Sequence, residues 1–260
     1  MTDPRPSFRD FRRRLLASQH LLGTFVKIPT SHATEMLGLL GFDFVVFDQE
    51  HAPLGHAALD VMILAARASN ITPIVRVGDP GEANILSALD SGALGVLVPH
   101  VSTAGKAQEI AAACRYRGGR RGFANTTRAG EFGGLSFTEH MDRSDSEVAC
   151  IAMIEDLSAL EEIDEIVAVE GIDAIFIGRG DLTAALGAPS MTSRETHEVV
   201  APIMAAARRA KMPMIMLSPD RQDATAMAQL GATAFMVSSD QGFLRSAAAA
   251  ALTAFAGPLA

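Results

Sequence analysis

Eight short apolar runs, each followed by a segment of helical periodicity, constrain this chain more than any other feature. The runs are Leu22–Ile28, Phe44–Phe47, Thr72–Val77, Leu94–Val98, Val148–Ile154, Ile172–Ile177, Pro213–Leu217 and Ala232–Val237. Short continuous apolar runs read as strands buried on both faces. Alternation with helices calls for parallel strands joined by helical crossovers. Eight such units fit a closed (β/α)8 barrel. A doubly wound open sheet is the alternative, but no GxGxxG follows the first strand. The 260 residues suit one barrel domain, 1–260, with no Pro/Ser-type linker inside it.

Helices are expected at Phe8–Ser18, from an N-cap at Ser31 to Leu40, at His56–Arg67, and from Pro80 to about Ser91. Another starts at a Ser102 or Thr103 cap and ends near Cys114. Later ones are Leu157–Val169, Leu182–Leu186, Ser193–Ala210, Asp220–Leu230 and Gln241–Phe255. The alternation pauses at about 116–147, a Gly-, Arg- and Ser-rich stretch that reads as a long loop.

Composition narrows the function classes. The net charge of −8 is spread along the chain, which argues against a nucleic-acid surface. No run approaches 18 apolar residues, so no membrane span is expected. The basic start MTDPRPSFRDFRRRLL lacks the apolar run of a signal peptide. The two cysteines, Cys114 and Cys150, lie outside any CxxC and read as buried apolar fillers in a reducing compartment. A cytoplasmic protein is expected.

A barrel of this kind carries its active site at the C-terminal ends of the strands. The second strand ends in Asp48, Glu50 and His51, the third in Arg76, and the fourth in Pro99-His100. The fifth ends in Glu155-Asp156, the sixth in Gly178-Arg179-Gly180-Asp181, the seventh in Ser218, and the eighth in Ser238-Ser239-Asp240. The strands themselves are almost free of charge, so this convergence points to a polar site. Glu155 and Asp181 can share a hard cation such as Mg²⁺ or Mn²⁺. They can equally be a solvated rim, with Glu155 paired to Arg179 or Asp181 serving as an N-cap. The glycines beside Arg179 let backbone N–H groups approach an anion such as a substrate carboxylate. His51 lies beside carboxylates and suits proton transfer. Arg76 is a fixed cation for an enolate or carboxylate oxygen, or a structural arginine. His100, His32 and His56 show no comparable company in sequence. Lys27 is the one lysine placed to contest the assignment, as a Schiff-base nucleophile.

With these residues assembled, the chain resembles the HpcH/HpaI aldolases, the metal-dependent class II pyruvate aldolases. The resemblance runs from about Leu22 to Phe255 and is carried by four segments. They are GTFVKIPTSHATEMLGLLGFDFVVFDQEHAPLG, PIVRVGDPGEANILSALDSGALGVLVPHVSTAGKAQ, IAMIEDLSALEEIDEIVAVEGIDAIFIGRGDL and, more weakly, GATAFMVSSDQGFL. The resemblance implies a (β/α)8 barrel of the phosphoenolpyruvate/pyruvate type. It implies Glu155 and Asp181 as ligands of Mg²⁺, Mn²⁺ or Co²⁺, and Arg76 as the group that binds the keto oxygen. It implies His51 as the proton-transfer histidine, with Asp48 as the carboxylate near it. Asp90 is implied to reach the neighbouring subunit's histidine. Gly178, Gly180 and Asp181 are implied to form the loop that receives the keto-acid carboxylate. The implied reaction is reversible cleavage of 4-hydroxy-2-oxo acids to pyruvate, or a related 2-oxo acid, and an aldehyde through an enolate. The implied assembly is a homohexamer, a trimer of dimers with the last helix swapped between subunits.

The chain departs from the family pattern at three places: Met153 where many members have Gln, Arg179 where many have Pro, and YRGGRRG without a Pro pair. Arg179 and Arg128 are therefore candidates for a second anionic group on the substrate. Alternative readings are a CoA-ester lyase or citrate-synthase-like condensing enzyme on the same barrel, and a non-catalytic keto-acid-binding barrel.

Overall fold

The computed structural model describes residues 5–256, so both ends of the expected 1–260 domain lie outside the described residues. Eight parallel strands close into a barrel in chain order. They are β1 Leu21–Val26, β2 Phe44–Asp48, β3 Thr72–Arg76, β4 Gly95–Val98, β5 Ala149–Ile154, β6 Ala174–Ile177, β7 Met214–Leu217 and β8 Ala234–Ser239. Hence β1 pairs with both β2 and β8, and no edge is left open. Alternation of side chains divides each strand between two apolar layers. Phe44, Val46, Ile151 and Met153 fill the barrel interior. Val45, Phe47, Cys150 and Ile154 pack outward beneath the helices. Cys114 is buried in that outer layer too, as expected for both cysteines.

The helices are α1 Phe11–Leu16, α2 Ser31–Leu40, α3 His56–Ala68, α4 Glu82–Asp90, α5 Ala104–Ala113 and α6 Phe137–Glu147. They continue as α7 Ile163–Val167, α8 Arg179–Leu186, α9 Arg194–Ala210, α10 Arg221–Gln229 and α11 Asp240–Ala254. Helix α1 follows a 3-10 turn at Phe8–Asp10 and plugs the N-terminal mouth of the barrel. Its Phe11 stacks 5.1 Å from Phe44, and its Leu15 is buried in the interior layer. Among the described residues no helix is long and apolar enough to cross a membrane.

Three expectations about elements are corrected. Thr30, not Ser31, caps α2, through its hydroxyl to the His32 N–H. The expected helix Leu157–Val169 is a 3-10 stretch, Leu157–Glu162, followed by the short α7. The expected loop at about 116–147 contains α6, closed at its start by a capping box between Ser136 and Glu139. Helix α6 buries His140 and Ser144 rather than an apolar stripe, so periodicity alone passed over it.

Candidate active site

Parallel register sets the first group of the site. β2 and β3 pair Asp48 with Arg76. Arg76 donates to Asp48 twice, Nε to Oδ1 at 2.9 Å and Nη2 to Oδ2 at 2.7 Å. Such a two-bond guanidinium–carboxylate pair fixes orientation as well as charge. Arg76 Nη1 lies 3.2 Å from Glu50 Oε2, and its guanidinium rests 4.8 Å over the Phe25 ring. The backbone N–H groups of Glu50 and His51 also donate to Asp48 Oδ1, and Lys27 Nζ lies 3.0 Å from Oδ2. Burial opposes the Asp48 anion, but Arg76, the His51 N–H and Lys27 together outweigh it and hold the carboxyl at about 2. Asp48 is therefore an ionised anchor beneath Arg76. The His51 ring stands apart from it, 56% exposed, with Nε2 3.7 Å from Glu50 Oε2.

The second group forms where β4 and β5 end. His100 adopts a left-handed backbone at φ 55°. That turn directs its N–H to Glu155 Oε1 at 2.9 Å and its ring Nδ1 to within 3.2 Å of both Asp156 oxygens. The ring Nε2 lies 3.7 Å from Glu50 Oε1. This corrects the reading of His100 as a histidine without company: Glu50, Glu155 and Asp156 converge on it from other strand ends. Glu155 is buried; burial, joined by the negative charges of Asp181 and Glu50 and opposed by the His100 N–H and ring, raises its carboxyl to about 7.

Glu50, His100 and Glu155 each offer one ligand atom, and these atoms lie within 4.8 Å of one another. Two carboxylates and an imidazole, one carboxylate buried beside further negative charge, are a donor set that fits a divalent cation. Glu155 belongs to this trio, as the sequence leads one to expect. Asp181, its expected partner, sits in the first turn of α8 and bears on Glu155 through its charge. Gly178 packs so closely that a Cβ there would meet the Glu155 Cβ at 2.6 Å and Oε2 at 2.9 Å. A side chain at 178 would displace Glu155, which gives this glycine a physical reason.

Arg76, His51, Gly178, Gly180 and Asp181 border one cavity of about 320 Å³, together with Lys27. Arg179 borders it too, but its buried guanidinium is engaged by Asp223, at 2.8 and 2.6 Å, and by the Leu217 carbonyl at 2.6 Å. Neither an Arg179–Glu155 pair nor an anion-binding Arg179 survives this arrangement. Arg128 pairs with Asp60 and packs against Gly92, in the connection before β5 and hence at the opposite mouth of the barrel, so it too is removed from the cavity. Asp90 ends α4 at that same far mouth and accepts from Arg121 at 3.0 Å; within one chain it does not meet His51. Lys27 is ion-paired with Asp48, which leaves it unsuited to attack a carbonyl as a free amine.

Sequence reasoning passed over Asp223, the residue that neutralises Arg179, and named Asp240 only as a strand-end acid, without its role of accepting the Lys27 and Ile28 N–H groups. Asp223 lies in the first turn of α10 and Asp240 opens α11, so both read as ordinary helix-start acids.

A parallel barrel whose strand ends gather a locked arginine, a carboxylate–imidazole cluster and an exposed histidine defines an enzyme-type site of known position. The profile of the HpcH/HpaI aldolase/citrate lyase family matches residues 21–247. The chain is 34% identical over 239 residues, 91% of its length and 93% of the relative's, to a 5-keto-4-deoxy-D-glucarate aldolase of Klebsiella pneumoniae. It is 32% identical over 242 residues, 92% of its length and 95% of the relative's, to a hydroxypyruvate/pyruvate aldolase of Sagittula stellata. The crystal structure of a family protein from Burkholderia cenocepacia superposes with a TM-score of 0.89 at 26% identity, covering 96% of this chain and 100% of that one. The chain belongs to the HpcH/HpaI aldolase/citrate lyase family.

Proposed function

We propose that this protein is a divalent-cation-dependent aldolase. It would cleave 4-hydroxy-2-oxo acids to pyruvate, or a related 2-oxo acid, and an aldehyde, and would form them in the reverse direction. The observation that carries the reading is Arg76 locked by Asp48 and Glu50 in the cavity that Asp181 borders, with Glu155 at the mouth of the same barrel. The names of the curated relatives, a keto-deoxyglucarate aldolase and a hydroxypyruvate/pyruvate aldolase, support the same substrate class.

Glu155 and Asp181 would hold Mg²⁺, Mn²⁺ or Co²⁺, and Glu50 and His100 each offer a ligand atom within 4.8 Å of one on Glu155. When bound, the cation supplies Lewis acidity that lowers the cost of enolate charge. Arg76 adds a fixed positive charge for the keto oxygen. Asp48 positions Arg76, and its depressed carboxyl keeps it an anion throughout. The substrate carboxylate is received by the N–H groups of Gly180 and Asp181 in the first turn of α8, where Gly178 offers no side-chain cap and leaves those donors unused. In cleavage, His51 takes the proton of the 4-hydroxyl. The bond between carbons three and four breaks, the aldehyde leaves, and the electron pair passes to the keto oxygen as an enolate. Protonation of carbon three then gives the methyl group of the 2-oxo acid.

The wider assembly belongs to the same reading. The protein acts in the cytoplasm on small molecules, as a homohexamer in which Asp90 meets the partner's His51 and α11 crosses between subunits. Helix α11 supports this, because Asp240 is its only buried residue while Leu252 and Leu244 lie exposed.

Exchange of the pyruvate methyl protons in D₂O, followed by NMR with Mg²⁺, Mn²⁺ or Co²⁺ and with EDTA, tests the proposal. Cation-dependent exchange is expected for the wild type and a loss of at least about a hundredfold for Glu155→Ala. Wild-type protein that exchanges no protons with any of the three ions would sink the reading.

A further inference from the structure

The cationic side chains around the cavity are unequally engaged. Arg179 is closed off by Asp223 and Leu217, and Arg76 is held in place by Asp48 and Glu50 as the cation assigned to the keto oxygen. Lys27 differs from both. Its backbone N–H donates to Asp240 Oδ1 at 3.0 Å, and the next N–H, of Ile28, to Oδ2 at 2.9 Å. The chain just past β1 is thereby clamped to the start of α11. From that fixed base Nζ passes 5.7 Å from the Phe25 ring centroid and comes within 3.0 Å of Asp48 Oδ2. Arg76 gives Asp48 two bonds, and Lys27 adds one contact at Oδ2. An ammonium carries three donors, and one carboxylate oxygen occupies one of them. The side chain keeps 24% of its surface exposed and borders the cavity along with Ser238 and Ser239.

Position gives the two remaining donors a direction. β1 stands four strands from β5 in an eight-strand barrel, directly across the mouth from Glu155. On the aldolase reading, a substrate anchored on the Glu155 and Asp181 side would extend across the cavity toward Lys27, which shares Asp48 Oδ2 with Arg76. Ser238, held at φ 53°, and Ser239 end β8, the other neighbour of β1. A strained non-glycine backbone at a ligand-facing turn is a recurrent feature of binding sites.

We propose that Lys27 is a specificity-determining residue: its free ammonium donors, with the Ser238 and Ser239 hydroxyls beside them, receive an anionic group on the aldehyde half of the substrate. The proposal rests on the aldolase reading, and it moves the role of second anion binder from Arg179 and Arg128 to a side chain with donors to spare.

Two four-carbon acceptors test it: succinic semialdehyde, which carries a carboxylate, and butanal, which does not. The kcat/KM for pyruvate consumption with each is measured for the wild type, Lys27→Met and Lys27→Arg. Both acceptors share the pyruvate half-reaction, so any disturbance of Asp48 and Arg76 cancels in their ratio. The wild type is expected to favour the charged acceptor. Lys27→Met is expected to lower that ratio by about tenfold or more, the usual size of a lost charge-assisted hydrogen bond. Lys27→Arg is expected to retain most of it. Turnover of both aldehydes at the same ratio in wild type and Lys27→Met, or a wild type that favours butanal, overturns the role of Lys27 alone. Absence of cation-dependent methyl exchange in the wild type overturns the aldolase reading and this role with it.

Discussion

Buried Asp223 shows how a single carboxylate decides the behaviour of the residue next to the site. It accepts two bonds from Arg179, whose Nε has no partner and whose side chain is almost wholly buried. Removing one member of a buried pair leaves the other uncompensated, a loss of about 3–5 kcal/mol. Asp223→Ala is therefore expected to lower the urea unfolding midpoint by a corresponding amount. The pH dependence has a definite sign. Burial raises the Asp223 carboxyl, but Arg179, Ser218 and His197 outweigh it and hold it below its ordinary value. In the unfolded chain the group titrates at about 3.9, its ordinary value. Its contribution is thus complete above that value and is lost as the pH falls through the lower folded-state value. Asp223→Asn is expected to flatten the fall of stability below about pH 4, measured by urea unfolding across that range. At this scale the sequence showed Arg179 but not its partner, because 44 residues separate the two. Glu155, Arg76 and His51 could be named from the sequence since each lies at or just past the end of a strand. The company of His100 was not legible, since it depends on a left-handed backbone turn.

Helix α6 is the element where periodicity failed and a local rule would have succeeded. Its Ser136 hydroxyl accepts the Glu139 N–H, and Glu139 Oε2 accepts the Ser136 N–H at 2.9 Å. The S-x-x-E signal is plain in the sequence, but the segment after it carries no apolar stripe. What α6 buries is polar: His140 lies between Asn125 and the Tyr116 hydroxyl, and Ser144 accepts from Arg121 at 2.6 Å. That network ties α6 to Arg121 and, through it, to Asp90. Loss of the cap in Ser136→Ala is expected to destabilise the protein by about 1 kcal/mol. Amide hydrogen exchange is expected to quicken first at the start of α6, which distinguishes a local cap from a global effect.

At the scale of the whole molecule, α11 carries apolar side chains that the described residues leave uncovered. The helix leaves Leu244 63% and Leu252 76% exposed, and Phe255, just beyond its end, 75% exposed. Helix α2 presents Leu39 and Leu40 in the same way. In the proposed assembly a neighbouring subunit covers this apolar surface. Analytical ultracentrifugation is expected to give a mass near six times the 27.4 kDa chain. Leu252→Glu is expected to shift that mass downward, with the far-ultraviolet circular dichroism retained. A wild-type chain that sediments as a monomer would remove both the swapped helix and the meeting of Asp90 with a partner.

Local chemistry by itself determined the barrel and the strand ends that carry its charges. A strand buried on both faces must be apolar, and a crossover helix must follow it, so each unit announces itself within about 30 residues. The tertiary structure decided who pairs with whom. It tied Arg179 to Asp223, set Lys27 and Arg76 on one Asp48, and brought Glu50, His100 and Glu155 from three strands to one point. Those contacts join side chains across the barrel mouth, where only register, backbone turns and closure fix distances. Local sequence periodicity carries no record of them.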